Sequence, residues 1–390
     1  MNPVLVAGGG PAGAAAACLL AHAGRPVTLL ERDAGPRHKI CGEFLSREAL
    51  TYLGRLGIDV AALGAADIPA MRLVYRGRMA ESALPFRGAG LSRLALDEAL
   101  LRRAESLGAV VHRGVRVRSV ADGVVESDAG PWPAPTLFLA TGKHDLRGSP
   151  RRPKREPEAL IGFKLHLALT APQRAALAGH VEVILFADGY AGLQLIEHGV
   201  ANLCLLIDRA RYDAVGQDWP ALLGELTRCD DHLARRLEGA TPLLDRPLSI
   251  FRVPYGYLHD PADHQPGVFR LGDQAAVIPS FCGDGMSIAL HSAHVAAETV
   301  LCGDDSAAYH RRMRRDAGPP VRLAFGLYRL GRPPMMRAGL MAACRAWPGL
   351  MRGVARHTRV PVIPTPPGGG CRRLQYCATP PSANRSTPLT

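Results

Sequence analysis

The chain has 390 residues, enough for a large buried core, and an ordinary globular composition with 47% hydrophobic and 21% charged residues. Its net charge of +12 is uneven: fifteen arginines and a single acid, Asp316, follow residue 310, which leaves the first 310 residues at −2. The basic excess therefore describes an appendage, which argues against a nucleic-acid-binding body, and no uninterrupted apolar run reaches bilayer length.

In chain order, PVLVAG at residues 3–8 is a short valine-rich stretch, as expected of a strand covered on both faces. GGGPAGAAAACLLAHAG follows as a glycine turn opening a helix of small residues, and PVTLLER is a second buried strand ending in an acid. The spacing is G-x-G-x-x-G at Gly8, Gly10 and Gly13, with Pro11 and Ala12 inside it and Glu31-Arg32 closing the unit. Gly8 permits the tight turn, Gly10 lets a pyrophosphate approach, and Gly13 lets helix and strand pack closely. The helix start offers unpaired N–H groups to the anion, and Glu31 can accept from ribose hydroxyls. The apolar run inside this helix lacks a preceding basic segment, so it does not read as a leader peptide. Nine cysteines, odd in number and without framework spacing, read as reduced thiols of a cytoplasmic protein.

Four segments in order resemble the FAD-dependent oxidoreductases that include para-hydroxybenzoate hydroxylase and the geranylgeranyl reductases, over about residues 1–330. They are the fingerprint; RHKICGEFLS at 37–46, similar to the reductases' K-x-C-G-G loop; LSRLALDEALLRRAESLGA at 91–109; and RLGDQAAVIPSFCGDGM at 270–286. The resemblance implies FAD, with Cys41 and Gly42 beside the flavin ring and Arg93 against the cofactor. It places Gly272 and Asp273 at the far half of FAD, Pro279 at the turn by the ring, and Gly283, Gly285 and Met286 at a helix start facing the flavin. A positive helix end there stabilises reduced flavin. Where hydroxylase relatives carry Asp-Gly, this chain has Thr141-Gly142, which weakens direct NADPH-dependent hydroxylation. NADPH or NADH stays open as the electron donor, and Lys143, Arg147, Arg151 and Arg152 read as a basic surface loop.

Between 151 and 260 the pattern turns to strands: IGFKLHLAL alternates, and 181–208 reads as three strands with turns at Asp188-Gly189 and His198-Gly199. This resembles the family's mostly antiparallel substrate sheet, with Tyr190 as a pocket residue and Gly192 where the reductases carry tryptophan. The expected fold is thus α/β: a Rossmann-type FAD-binding domain (1–150 and 260–310), an inserted antiparallel sheet domain (151–259), a basic helical segment (311–363) and a disordered tail (364–390). Prolines at 319–320, 333–334 and 348 are expected to divide the basic segment into short helices. That segment reads as a helical cap, with a peripheral membrane or carrier-protein contact as its other use.

The expectation for function is an FAD-dependent monooxygenase acting on a hydrophobic aromatic or polyketide-like molecule of secondary metabolism. The alternatives are a reductase of isoprenoid or lipid alkenes, and a non-catalytic flavin protein docking at a lipid surface. The catalytic residue is left open, with Cys41 and Tyr190 as the candidates. No metal site is expected, since His291 and His294 have no third ligand in sequence, and the W-x-W-x-I-P sequence of tryptophan halogenases is absent. The sequence leaves the oligomeric state open.

Overall fold

A computed structural model describes residues 3–154 and 158–364. Val4–Ala7, Val27–Glu31 and Leu137–Leu139 are the buried aliphatic strands that parallel sheets require. With Val110–Arg113 and Val268–Arg270 at the two edges they form one five-stranded parallel sheet, its centre held by Val4–Ala7. Helices Pro11–His22, Arg93–Ser106 and Gly285–Cys302 pack into one core on one side of it. A three-stranded antiparallel sheet spanning residues 117–133 covers the other side.

A second, nine-stranded sheet is mostly antiparallel. The three strands read from 181–208 are present as His180–Phe186, Gly189–Leu195 and Ala201–Asp208, and Leu160–Ala168 pairs with the last of them. One face packs Phe163, Leu165 and Leu203 against helices that carry Leu222, Leu226 and Leu233. The opposite face is left to look toward the parallel sheet.

Two features differ from the sequence reading. The second sheet also takes Phe44–Leu45, Ala66–Tyr75 and Arg78–Gly90, so residues 1–150 are shared between the sheets. Pro69, Pro85 and a bulge between Ile68 and Ala70 obscure the alternation that would have revealed these strands. The other is that Ser306–Leu330 is one helix running through Pro319-Pro320. Burial of Tyr309, Met313, Ala317, Val321 and Ala324 along one stripe outweighs the two missing N–H donors. Breaks do fall before Pro334 and Pro348, giving helices Pro334–Ala346 and Pro348–His357. The tail after residue 364 lies outside the described residues. Among the described residues no helix is long and apolar enough to cross a membrane.

Candidate functional site

The fingerprint glycines differ in what surrounds them. Gly8 has φ +111°, and a Cβ there would meet the Ala140 carbonyl oxygen at 2.5 Å. A Cβ on Gly13 would sit 1.9 Å from the Gly8 oxygen, so these two glycines close the strand–helix packing. A Cβ on Gly10 would meet only the Arg93 guanidinium, at 3.2 Å, because this residue faces a cavity. The helix begins at Pro11 without a side-chain cap, so its first N–H groups are free for an anion. Glu31 is held by the Gly9 amide (2.6 Å) and the Asp33 amide (3.0 Å). Arg32 points outward, 3.8 Å from Asp33.

The distal segment folds onto this helix. Gly272 has φ +58°, and a Cβ on it would touch Ala12 at 3.3 Å; its amide donates to Ser292 Oγ (2.9 Å). Asp273 and Lys143 pair at 3.3 Å across the cavity, and the Asp273 charge, opposed by burial, raises the Lys143 pKa. Lys143 is therefore part of the cavity wall, and Arg151 is tied down by Asp145 (2.6 Å) and the Lys143 carbonyl (2.7 Å). Arg147 and Arg152 do stay at the surface. Gly142 lines the cavity with φ +63° and open space beside it. Thr141 does not line it; its hydroxyl is spent on the His144 carbonyl (2.6 Å). Pro279 lies outside the lining too, between Ile278 and Ser280, which are in it.

Gly285 and Met286 open helix Gly285–Cys302 at the cavity without a side-chain cap. Gly283 is left-handed at φ +67° against the Phe44 ring. Asp284 turns away, fully buried, to Arg359 (3.1 Å) and the Val360 amide (3.0 Å); burial pushes its carboxyl up to about 6 against the pull of Arg359. Arg93 lies in the wall, clamped on Asp97 by two bonds of 2.7 Å.

Cys41 and Gly42 line the same cavity, and Asn202 Nδ2 donates to both their carbonyls (3.1 and 2.9 Å). Glu43 follows in the left-handed region at φ +58°, where the K-x-C-G-G motif has its second glycine. It is fully buried, accepting from the Arg93 amide (2.8 Å), meeting His166 Nε2 at 2.8 Å and pairing with the buried Lys164 ammonium. Burial opposes its charge, yet His166 and Lys164 hold its pKa below the ordinary value. Sequence reasoning missed Glu43, Lys164 and His166. The alternation in IGFKLHLAL was the only signal, and it suggests a solvent-facing pair.

Tyr190 is buried, with Ser280 Oγ at 2.5 Å and Tyr255 Oη at 3.2 Å, and all three line the cavity. Burial raises its pKa well above the ordinary value, so the phenol keeps its proton. Gly192, opposite Cys204 and Val183, has only the Cys204 carbonyl within 4 Å of a built Cβ. His291 and His294 are packing residues: His291 joins Tyr52 (2.8 Å) to Asp316 (3.1 Å), and His294 bonds the Leu290 carbonyl (2.9 Å).

The lining residues named above wall one cavity of about 430 Å³. One end is glycine-rich and polar, and the Gln194 Nε2 in its wall has no partner among the described residues. The other arm is apolar, with Met71, Leu73, Val183 and Leu185 from the sheet facing Leu340, Met351 and Val354 from the two C-terminal helices. A glycine cradle between two uncapped helix starts, with an orphaned amide beside it, fits a dinucleotide flavin.

Residues 1–129 match the FAD binding domain family. A menaquinone reductase of Mycobacterium tuberculosis strain H37Rv is 33% identical over 318 residues, 76% of each chain. The chain belongs to the FAD-dependent oxidoreductases. Within this superfamily, which takes in para-hydroxybenzoate hydroxylase and geranylgeranyl reductase relatives, a menaquinone reductase of Mycolicibacterium smegmatis is 25% identical over 77% of this chain and 76% of its own. A flavin-dependent brominase structure superposes with a TM-score of 0.76 at 20% identity, covering 91% of this flavoprotein and 92% of its own chain. The myxobacterial chondrochloren halogenase gives 0.70 at 20% identity, over 91% and 90%. These structural likenesses establish the fold.

Proposed function

We propose that this flavoprotein is a reductase that saturates a carbon–carbon double bond in a long apolar, isoprenoid-type substrate. The observation that carries the reading is the apolar arm, which continues from the cofactor loops between the sheet and the C-terminal helices. The menaquinone reductases that match over three quarters of both chains support it, as does Thr141-Gly142 at the hydroxylase Asp-Gly position.

FAD, when bound, supplies the two-electron redox chemistry. Gly10, Ala12, Gly142, Gly272 and Asp273 would hold its phosphate and ribityl portions, and the Pro11 and Gly285 helix starts would favour negative charge on it. The chain's own part is to orient the alkene, keep water out and hold a proton. Leu73, Val183 and Leu185 provide the dry surface, and Asn202 and Lys164 fix the Cys41-Gly42 loop from behind. Tyr190 Oη, backed by Ser280 and Tyr255, keeps a proton at the junction of the two arms. Adding two hydrogens across the double bond takes a hydride equivalent, two electrons with one proton, which FAD would supply when reduced, and a second proton, which Tyr190 would give.

The first of the helices that wall the apolar arm carries Met335 (88% exposed), and Trp347 (77% exposed) sits at the break between the two, both among arginines. We assign these residues to peripheral contact with anionic lipid, from which such a substrate would enter. The test is turnover of the reduced holoprotein with a polyprenyl quinone under strict anaerobiosis. A product gaining two hydrogens is expected; a product that forms only in air and gains one oxygen overturns the reading in favour of a monooxygenase.

A further inference from the structure

A second, smaller cavity of about 250 Å³ lies beside the cofactor loops, at the end of edge strand Val268–Arg270. Its wall includes Ser149, Arg152, His259, His264, Asp263 and Arg270. Arg270 is only 4% exposed. Its guanidinium donates to the Ser149 carbonyl (3.2 Å), Ser149 Oγ (2.6 Å), the Pro150 carbonyl (3.3 Å) and Gln274 Oε1 (3.3 Å). All of these acceptors are neutral, and among the described residues no carboxylate comes within 4.0 Å of it. A buried cation without a counter-charge costs several kcal/mol, roughly the cost of breaking a buried ion pair.

His259 supplies the independent observation. It is 6% exposed and walls the same cavity, yet its Nε2 has no partner among the described residues. Its Nδ1 lies 3.4 Å from Tyr257 Oη, and its ring stacks edge-on against His310 at 4.4 Å. With Nδ1 accepting from the tyrosine, Nε2 is an N–H donor left without an acceptor. Asp263, the acid in the wall, lies 4.0 Å from the exposed Arg152, a loose contact that leaves Arg152 able to turn to a bound anion, and nearby Asp260 is paired with Lys154 (2.7 Å) and Arg314 (3.7 Å). Arg270 is the charge left over.

We propose that this cavity binds a phosphate-type oxyanion, drawn by the buried charge of Arg270 and held by Arg152 and the His259 Nε2 hydrogen. The terminal N–H groups of Arg270 and the Ser149 hydroxyl, which donates to Gln265, are used within the fold, so Arg270 contributes its charge while the Arg152 guanidinium and the His259 N–H supply donors to the oxyanion. Occupancy reaches the cofactor loop directly. Gln274, which accepts from Arg270, donates through Nε2 to the Gly142 carbonyl (2.8 Å) and the His144 carbonyl (3.0 Å). The oxyanion is either free phosphate or a phosphate of a nicotinamide nucleotide serving as electron donor.

The experiment is thermal unfolding and isothermal titration of the FAD-loaded protein with inorganic phosphate, at ionic strength fixed with chloride, repeated with NADPH and with NADH. Phosphate is expected to raise Tm saturably. Displacement of phosphate by the nucleotides assigns the site to the donor; its absence assigns it to the free anion. Arg152→Ala, on an exposed side chain, and His259→Asn are expected to weaken phosphate by at least about tenfold while the flavin spectrum is kept. Arg270→Gln is expected to abolish binding, but its folding is at risk. Phosphate acting no differently from chloride, or binding equally to Arg152→Ala and His259→Asn, overturns the proposal.

Discussion

Lys164 and Arg270 are both buried cations next to the cofactor loops, and the chain treats them oppositely. Lys164 lies behind the Cys41-Gly42 loop and meets its own carboxylate, Glu43, with His166 on the other oxygen. Arg270 lies behind the Gly142 loop and meets only neutral oxygens. A charge satisfied from within the fold is a structural brace that positions a loop. One without an internal carboxylate, beside a cavity, is the group we propose to meet an anion from solution. The same burial therefore means architecture in one place and binding in the other.

The comparison breaks most visibly at Glu43. Glu43→Ala leaves Lys164 unpaired, and about 3–5 kcal/mol of stability is expected to go, read by denaturant unfolding. Adding Lys164→Met should return most of it. If the single variant is as stable as the native chain, Lys164 is not braced as described.

Glu182 provides a second braced charge and tests the same logic by pH. It is fully buried; burial alone would raise its pKa, but His232 and Arg236, bonded to its oxygens, hold it at about 2. A carboxylate lowered in the fold adds stability above its ordinary value of 4.5, and that stability is lost as pH falls from there through about 2. The loss expected is about 3 kcal/mol, absent in Glu182→Gln, as checked by unfolding at stepped acid pH.

Arg270 sharpens the contrast from the other side. Saturating phosphate, at about a hundredfold over its dissociation constant, should add about 2.7 kcal/mol to the native chain and nothing at the Lys164 site. The smallest effect belongs to the outer helices. Met335→Ser with Trp347→Ser should weaken association with anionic vesicles by about tenfold in sedimentation and leave the flavin spectrum alone.

The fingerprint was legible because its work is done by glycine spacing, which sequence displays directly: Gly8, Gly10 and Gly13 each meet the surroundings their spacing requires. Gly272-Asp273 was legible for the same reason, although it lies more than 250 residues away. The braces were not. Lys164 and His166 alternate with leucines as a solvent-facing strand would, and only the placement of Glu43 beneath them turns that face inward. Strands 66–75 and 78–90 were hidden by proline and glycine, and their register is set by the neighbouring sheet. The apolar arm needed the C-terminal helices in place, because neither they nor the sheet face encloses it alone.

That arm carries the account. The most direct measurement is the difference spectrum of the bound flavin on adding a long saturated isoprenoid alcohol, which cannot react, to the native protein and to Val354→Trp. Val354 walls the arm on helix Pro348–His357, away from the cofactor loops. The account predicts a saturable shift of the flavin bands in the native chain, lost in the variant while its flavin content stays the same. An unchanged response in Val354→Trp, or no response in the native chain, would contradict it.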